Sequence, residues 1–343
     1  MSNITTIGID LAKSVFQLCG LNRARKIIFN KQVSRNKLIS TLKEHPSALL
    51  VMEACGSSNY WHRELSKHGF TVRVIPTQHV KALVQGNKND ANDALAVAES
   101  AFRPGIHDVA PKSIEQQDIQ TLLRIRSSNK EHRVSNANQI RGLLGEYGVV
   151  IPVGFASLRR QLPLILEDAE NELTPVSRAA IHGLYLEHVR LCDVINQLDA
   201  QLSGIIQAYP LAKRLLRLRG IGPITALALF AAVGNASQFR NARQLSAWIG
   251  LVPKQYGTGG KIHLSGISKR GNSQLRFLLI HGARAVLNWA SKRDDQLSCW
   301  AKNVANRRGK HKAIVAVANK TARMVWVALT KGVDALPPHY LSA

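Results

Sequence analysis

The first hundred residues alternate between strand-like and helix-like segments, and this alternation constrains the fold of that part of the chain. Strand-like runs lie in "TTIGIDLAKSVFQLCGLN", which reads as two strands, and in "KIIFNKQV", "ALLVMEACGSS" and "TVRVIP". Helical patterns lie in "RNKLISTLKEH", which we expect Ser34 to cap, in "YWHRELSKHG", and in a segment that starts at "NKNDANDA". The order strand, strand, strand, helix, strand, helix, strand, helix predicts a mixed sheet flanked by helices.

The remainder of the chain is predicted to be mostly helical. Pro104, Gly105 and Pro111 mark a break, and a long basic helix is expected after it. Prolines 152, 163 and 175 then interrupt the chain. These features predict three segments: an α/β domain over 1–110, a helical linker region over 111–208, and a C-terminal, mostly α-helical domain over 209–343.

An apolar stripe with alternating spacings of three and four residues lies in the second segment. The pattern suggests a coiled-coil hairpin or an oligomer seam, and the alternative is an ordinary amphipathic helix packed on its own domain. One polar residue, His188, interrupts the stripe. Its members are Ile181, Leu184, His188, Leu191, Ile195, Leu198, Leu202 and Ile205.

The charge balance indicates a polyanionic partner. The 343 residues include 46 Lys and Arg against 22 Asp and Glu, a net charge of +24, and 45% hydrophobic residues are ample for packed cores. Such a chain attracts DNA or RNA through their phosphates. Four dispersed cysteines form no C-x-x-C pair, and the first residues resemble no signal peptide, so we expect a soluble protein of a reducing cytoplasm, associated with the nucleoid.

Four acidic residues stand out in this basic chain: Asp10 and Glu53 at strand ends, and Asp90 and Asp93 on one face of a helix. Like charges three residues apart repel, so a cation must compensate them. One alternative is a surface charge network with Lys13 and Lys88, or Asp90 acting only as a helix cap. The other is divalent metal: two Mg²⁺ ions can clamp the attacking and leaving oxygens of a phosphodiester. We expect Mn²⁺ to be able to substitute.

The motifs "GIDLAK", "MEACG" and "NKNDANDA" resemble the Asp-Glu-Asp-Asp set of a RuvC-like, RNase H-fold domain. That domain is found in the insertion-sequence one-ten family of transposases and its Piv-type invertase relatives. "GIGPITA", "RQLSAWIGLVPKQ", "TGGK" and "GISKRGN" are similar to the family's C-terminal transposase domain in order and spacing. The resemblance implies that Asp10, Glu53, Asp90 and Asp93 are the metal-binding acids.

The segment "YGTGGK" is the second candidate site. Its glycines permit close approach of a phosphate backbone, Lys261 supplies charge, and a hairpin turn without chemistry is the alternative. The resemblance implies a nucleophile here that forms a covalent link to DNA, commonly serine, whereas this chain has Thr258. Threonine keeps the hydroxyl but is more crowded. Ser265, Ser268 and Tyr256 are nearby hydroxyls; Ser268 fits a helix N-cap, and Tyr256 fits packing or base stacking.

Other basic residues are predicted to contact phosphates without reading sequence. The turn at Gly220, Gly222 and Pro223 suggests a helix-hairpin-helix element whose amides could face a phosphate, or else a plain turn between helices. The expected contacts are Lys269 and Arg270 in "SKRGN" and Arg307, Arg308, Lys310 and Lys312 in "NRRGKHK".

The family resemblance implies a DNA recombinase that excises and inserts its own mobile element. It also implies a guide RNA encoded by the element, and a homo-oligomer, dimer or tetramer, whose acid and hydroxyl sites come together from different protomers. Two alternatives remain at this level. One is a RuvC-like, structure-selective nuclease that uses only the four acids and water, and the other is a basic scaffold without catalytic activity.

Overall fold

The computed structural model describes residues 4–87 and 89–342 of the chain. The chain divides into two compact units, Met1–Ser113 and Ile114–Ala343. Each unit has its own hydrophobic core, and every residue of the largest core cluster belongs to the second unit. The further division predicted near residue 208 stays a prediction.

The first unit is built on a five-stranded mixed sheet, as the sequence predicts. Its strands stand in the order β3-β2-β1-β4-β5, so the first strand is central. β1 pairs antiparallel with β2 and parallel with β4, while β2 pairs antiparallel with β3 and β4 parallel with β5. The strands are β1 Ile4–Asp10, β2 Val15–Asn22, β3 Ile27–Ser34, β4 Leu49–Glu53 and β5 Val72–Ile75.

Four α-helices accompany this sheet: α1 Leu38–Lys43, α2 Ser58–Lys67, α3 Thr77–Lys81 and α4 Asp90–Ser100. Ser34 was expected to cap the first of them, and this expectation is wrong. A 3-10 turn over Arg35–Lys37 lies between Ser34 and the start of α1, and the Ser34 side chain makes no capping hydrogen bond. The short helix α3 follows directly after the proline that ends β5, and the sequence pattern did not predict it.

Helices dominate the second unit, which also holds a two-stranded hairpin. Prolines start three of its helices, at the position where a missing N–H costs nothing. Its elements are α5 Ile114–Gly145, α6 Phe155–Glu167, α7 Pro175–Ile205, α8 Pro210–Leu215, α9 Pro223–Val233, α10 Ala242–Ile249, β6 Pro253–Thr258, β7 Lys261–Ile267, α11 Ser273–Trp289, α12 Gln296–Arg308 and α13 Lys310–Thr330.

The apolar stripe of α7 packs against α5 of the same unit. At one end of this pair Leu202 shares a core with Ile119, and at the other Ile181 shares a core with Ile140, so the two long helices run antiparallel. The polar member His188 is buried, and its Nδ1 lies 3.2 Å from Asn136 Oδ1 on α5. The stripe therefore forms an intramolecular contact, which fits both an ordinary amphipathic helix and a coiled-coil hairpin, and supercoiling of this pair stays a prediction.

Proline was expected to interrupt the chain at position 163, but Pro163 lies inside α6. An internal proline removes one helical hydrogen bond, and a helix tolerates it where packing holds both sides. Leu158 and Leu162 on the same helix are fully buried, so packing accounts for its continuation.

Helix α13 of the second unit is both long and apolar. Its length and composition would suffice to cross a membrane, but 56% of its apolar window is buried inside the protein. It packs against α10, α11 and α12 in the largest core cluster. We therefore describe α13 as the core helix of this unit.

Candidate active site and nucleic-acid contacts

Two of the predicted acids leave the sheet at the same edge. β1 and β4 are parallel neighbours, and their register places Ile9 opposite Met52. Asp10 and Glu53 are the next residues along each strand, and both are half-buried. Because parallel strands end at a common edge, the fold brings these two carboxylates into proximity.

Helix α4 carries the other two acids and packs directly on β1. Gly8 makes this approach possible: a Cβ atom there would lie 2.5 Å from the Ala98 amide nitrogen and 2.7 Å from the Ala98 Cβ. No side chain fits in that space, so glycine is required for close helix–strand contact. Asp90 and Asp93 both lie in the first turn of α4, where the helix dipole favours negative charge.

A polar connection between the sheet and α4 is a feature that the sequence analysis missed. Gln17 is opposite Asp10 in the β1–β2 ladder and is buried. Its Nε2 donates to Asn30 Oδ1 at 2.6 Å, and Asn30 Nδ2 donates to the Ala91 carbonyl at 3.0 Å. These bonds hold the acidic turn of α4 beside the sheet. A glutamine inside the apolar run "VFQLCG" was the available signal.

The interpretation of Asp90 as the helix cap is wrong. Asn89 occupies the N-cap position, and its side chain accepts a hydrogen bond from the Asn92 amide at 2.8 Å. The Asp90 carboxylate is therefore not needed for capping, and this residue is exposed in the first helical turn.

The four carboxylates act on one another electrostatically. Burial raises the pKa of Asp10, and the negative charges of Asp93, Asp90 and Glu53 raise it further. Within residues 4–87 and 89–342, no ion pair joins any of the four to a basic side chain, Lys13 included. The second basic residue of the expected charge network, Lys88, lies outside the described residues. The four acids thus form a negatively charged edge that no ion pair from the described residues neutralises.

The acidic edge suits a hard divalent cation by its chemistry. All four donors are carboxylates, which Mg²⁺ prefers, and a cation would relieve the repulsion felt by Asp10. The side-chain positions are more open than in a metal site: no group of three or more His, Cys, Asp or Glu in the described ranges is arranged to hold an ion.

Thr258 stands at the end of β6, beside the turn of the β6–β7 hairpin. Gly259 and Gly260 form the turn, with φ of 55° and 77°, and Thr258 pairs with Lys261 across it. Both residues are exposed, as is the hairpin except at Ile267. In the described part of the chain, the Thr258 hydroxyl makes no hydrogen bond. The hydroxyl is therefore open to an incoming substrate, without a base beside it.

The same face of the hairpin carries a pair of aromatic rings. Tyr256 lies opposite His263, and the two rings stack with their centroids 5.4 Å apart and their planes at 19°. Residues that pair across antiparallel strands share a face, so this pair lies on the face of Thr258 and Lys261. The hydroxyl, one cation and two rings thus lie on one surface.

The turn with Lys269 and Arg270 has a strained backbone. Lys269 adopts φ of 54°, an uncommon value for a residue with a side chain, and its amide donates to the Gly250 carbonyl at 3.2 Å. Both predicted cations are exposed. Ser268 was interpreted as a possible helix N-cap, but the cap of α11 is Asn272, which accepts from the Leu275 amide at 3.0 Å.

A corner between α12 and α13 gathers four predicted phosphate contacts. Arg307 and Arg308 end α12, Gly309 turns the chain with φ of 87°, and Lys310 and Lys312 begin α13. All four cations are exposed. Lysines at a helix N-terminus oppose the helix dipole, and a bound anion removes that conflict.

The turn before α9 has a packing role. Gly220 has φ of 81°, and a Cβ there would lie 2.8 Å from Val286 Cγ2 and 2.9 Å from the Gly282 carbonyl oxygen of α11. Close packing on α11 therefore accounts for Gly220, as the plain helix–helix turn predicts. Phosphate contact by the neighbouring amides stays a prediction.

Comparison with known proteins gives matches over both units. Residues 7–149 match a transposase family profile of the DEDD type, and residues 212–298 match the profile "Transposase IS116/IS110/IS902 family". The chain is 43% identical over 331 residues to a transposase for insertion sequence element IS1111A from Coxiella burnetii, covering 96% of this chain and 91% of that one.

Two further relatives extend the comparison. A probable family 20 transposase from Pseudomonas aeruginosa is 41% identical, with 96% of this chain and 98% of that protein covered. A pilin gene-inverting protein from Moraxella bovis is 27% identical, with 82% and 83% covered. The similarity thus reaches from transposases of insertion sequences to an invertase.

Proposed function

Because this chain belongs to the IS116/IS110/IS902 family of transposases, we propose that it moves an insertion sequence by metal-assisted DNA strand exchange through a covalent Thr258 intermediate. The chain is a DNA recombinase by family, and its DEDD profile suggests an RNase H-like fold for the first unit. The observation that carries the mechanism is the meeting of Asp10, Glu53 and the first turn of α4 at one sheet edge.

Asp10, Glu53, Asp90 and Asp93 are proposed to hold two Mg²⁺ ions, for which Mn²⁺ can substitute. When bound, the ions neutralise charge on the phosphodiester oxygens during displacement. The protein supplies the carboxylates and keeps two of them half-buried, Asp10 at the end of β1 and Glu53 at the end of β4. Gln17 and Asn30 fix the turn that carries Asp90 and Asp93.

Thr258 supplies the attacking oxygen in this proposal. Its Oγ1 forms a bond to phosphorus, the ester bond to one deoxyribose oxygen breaks, and that oxygen takes up a proton while the hydroxyl proton passes to solvent. The exposure of Thr258 on an open hairpin supports this role, since a DNA backbone can reach it. Lys261 stands across the turn as a charge for the phosphate.

The partners follow from the charge and the family. We propose that the exposed cations at Lys261, at Lys269 and Arg270, and at the α12–α13 corner contact donor and target DNA. A guide RNA encoded by the element reads sequence by base pairing, and this suits a protein rich in backbone contacts. We propose, as the family resemblance implies, that the acids of the first unit and Thr258 of the second come together from different protomers of a dimer or tetramer, in the bacterial cytoplasm at the nucleoid.

The test mixes the purified protein, Mg²⁺, candidate guide RNA and labelled element-junction DNA, and then looks for a protein–DNA adduct that survives denaturant. We expect the adduct with wild type and Thr258→Ser, and none with Thr258→Ala or Glu53→Gln. Thr258→Ser keeps the hydroxyl and is the matched control for Thr258→Ala.

One observation favours a second function, a structure-selective nuclease that uses the acids and water. The Thr258 hydroxyl has no hydrogen-bonded base in the described chain, as an inert hairpin would show. Strand cleavage without any adduct, unchanged in Thr258→Ala but lost in Glu53→Gln, would support that function and exclude the covalent one.

A further inference from the structure

A cleft of 660 Å³ opens in the second unit between the start of α10 and one side of α13. Three cations line it, Arg243, Lys320 and Arg323, together with the aromatic side chains of Trp326 and Tyr340. Among the residues that the structure describes, no Asp or Glu lines the cleft. Its volume lies within the usual range for small-ligand sites, roughly 300–1,000 Å³. We call it the α13 cleft.

The cations of the α13 cleft lack anionic partners. Among the described residues none of the three takes part in an ion pair, and Arg323 Nε is buried without a hydrogen-bond acceptor. A buried donor without an acceptor is costly, so Arg323 has a hydrogen-bonding group that the described residues do not satisfy. Lys320 Nζ lies over the ring of Trp300 at 4.2 Å and that of Tyr340 at 5.3 Å.

The aromatic residues of the cleft are held in place by the fold. Trp326 Nε1 donates to the Phe239 carbonyl at 3.0 Å, which fixes the orientation of its indole. Tyr340 lies in a 3-10 turn, and its backbone carbonyl accepts a hydrogen bond from the backbone amide of Arg219 at 3.0 Å. Rings that are already fixed can stack on a ligand without paying for their own ordering. An inorganic anion could bind the cations but would make no stacking contact with these rings.

We propose that the α13 cleft binds one unpaired nucleotide of a single strand. Arg243 and Arg323 bind its phosphate, and its base stacks against Trp326 or Tyr340. A duplex keeps its bases stacked and paired, so only an unpaired base can enter the cleft. The inference rests on the proposed function, since it takes nucleic acid as the partner, but its residues are separate from the four acids and Thr258.

The test measures binding of labelled single strands of twelve nucleotides to the full-length protein by fluorescence anisotropy. Oligothymidylate and oligouridylate distinguish a DNA source from an RNA source, and an abasic strand and a twelve-base-pair duplex complete the set. The variant is Arg243→Gln with Arg323→Gln. The matched control is Lys292→Gln, because Lys292 also lies over a tryptophan ring, Trp289 at 4.8 Å, but does not line the cleft.

We expect the double variant to bind at least one of the two single strands about tenfold more weakly, with a shallower salt dependence, and the duplex nearly as wild type does. Lys292→Gln should match wild type on every strand. The abasic strand should bind wild type about fivefold more weakly, since base stacking is lost. Unchanged affinity for both single strands, an equal loss on the duplex, or an abasic strand that binds as well as a normal one overturns the proposal.

A measurement without divalent ions separates this inference from the mechanism above. In EDTA the proposed strand exchange lacks its metal ions, whereas the α13 cleft is complete, so single-strand affinity should still depend on Arg243 and Arg323. If strand exchange fails in every assay while this dependence remains, the cleft proposal is supported and the proposed mechanism is wrong. Single-strand affinity in EDTA that is equal for wild type and the double variant would overturn the cleft proposal.

Discussion

At the scale of single residues, Asp10 shows how the fold concentrates charge. Its carboxylate is half-buried at the end of β1 and faces the negative fields of Asp93, Asp90 and Glu53. Each neighbour makes ionisation of Asp10 less favourable, so without a cation this site opposes folding at neutral pH. Function and stability therefore conflict at this position, as they often do at catalytic sites.

The first prediction follows from that conflict. The folded pKa of Asp10 is raised above its usual value, so its contribution to stability is present at low pH and is lost as pH rises through the folded pKa. Without divalent ions at pH 7, Asp10→Asn should therefore raise the melting temperature of the first unit by about 2–4 °C. The difference in melting temperature between Asp10→Asn and wild type should become smaller as pH falls toward 4. Differential scanning calorimetry in EDTA measures both.

Asp108→Asn is the control for this prediction. Asp108 accepts hydrogen bonds from the Arg73 guanidinium at 2.8 and 3.0 Å, so it has the counter-charge that Asp10 lacks. Its replacement should lower the melting temperature or leave it unchanged. A lower melting temperature for Asp10→Asn under the same conditions would contradict the electrostatic argument.

At this scale the sequence was enough to identify the four acids, but not the residues that hold them in position. Asp10 and Glu53 were recognisable because each ends an apolar run, and this pattern is visible in the sequence itself. Gln17 and Asn30 act through hydrogen bonds between β2, β3 and α4, and such pairings depend on register. Asn89 as the cap in place of Asp90 depends on where the helix starts, which is the least predictable feature of a helix.

At the scale of elements, the contact of α4 with β1 decides where Asp90 and Asp93 stand. The second prediction is that Gly8→Ala weakens this contact, because the new Cβ would lie 2.7 Å from the Ala98 Cβ. Overpacking of this kind costs about 1–3 kcal/mol. Displacement of α4 should also reduce Mg²⁺-dependent strand cleavage by more than the loss of folded protein explains. Urea unfolding and a cleavage assay on the same samples measure the two effects.

Gly56→Ala is the matched control in the same unit. A Cβ at Gly56 meets no atom within 4 Å, and its φ is outside the left-handed region. The change should leave cleavage and unfolding close to wild type. Equal effects of the two substitutions would show that the tight α4–β1 contact has no special role.

Elements with a clear apolar pattern were predictable, and the short helix α3 was not. The strands of the sheet and the long helices α5 and α7 follow from apolar patterns of period two and three to four. Helix α3 has five residues, too few for a period to emerge. Pro163 suggested an interruption, but the buried leucines of α6 outweigh one lost hydrogen bond.

At the scale of the whole molecule, each of the two units has its own hydrophobic core, and a buried ion pair stabilises the core of the second unit. In the second unit Arg219 is 7% exposed and donates to Asp295 Oδ1 at 2.7 Å, to the His339 carbonyl and to Ser298 Oγ. Burial alone would raise the pKa of Asp295, but hydrogen bonds from Ser298 and Arg219 outweigh it and lower the pKa to about 2. Asp295 also caps α12, so one carboxylate serves both helix and core.

The last prediction combines Asp295, which has a counter-charge, with Asp10, which has no ion pair among the described residues. Because Asp295 has a lowered folded pKa, its contribution to stability is present above its usual pKa of 3.8 and is lost as pH falls toward 2. Asp295→Asn leaves the Arg219 charge buried without a counter-ion, at a cost of about 2–4 kcal/mol at pH 7. If each unit unfolds on its own core, calorimetry of the full chain should resolve two transitions. Asp295→Asn should lower one by roughly 5–10 °C, and Asp10→Asn should raise the other. A single transition that moves with both variants would mean that the two cores melt together, and that the acid site and the nucleophile hairpin share one cooperative unit.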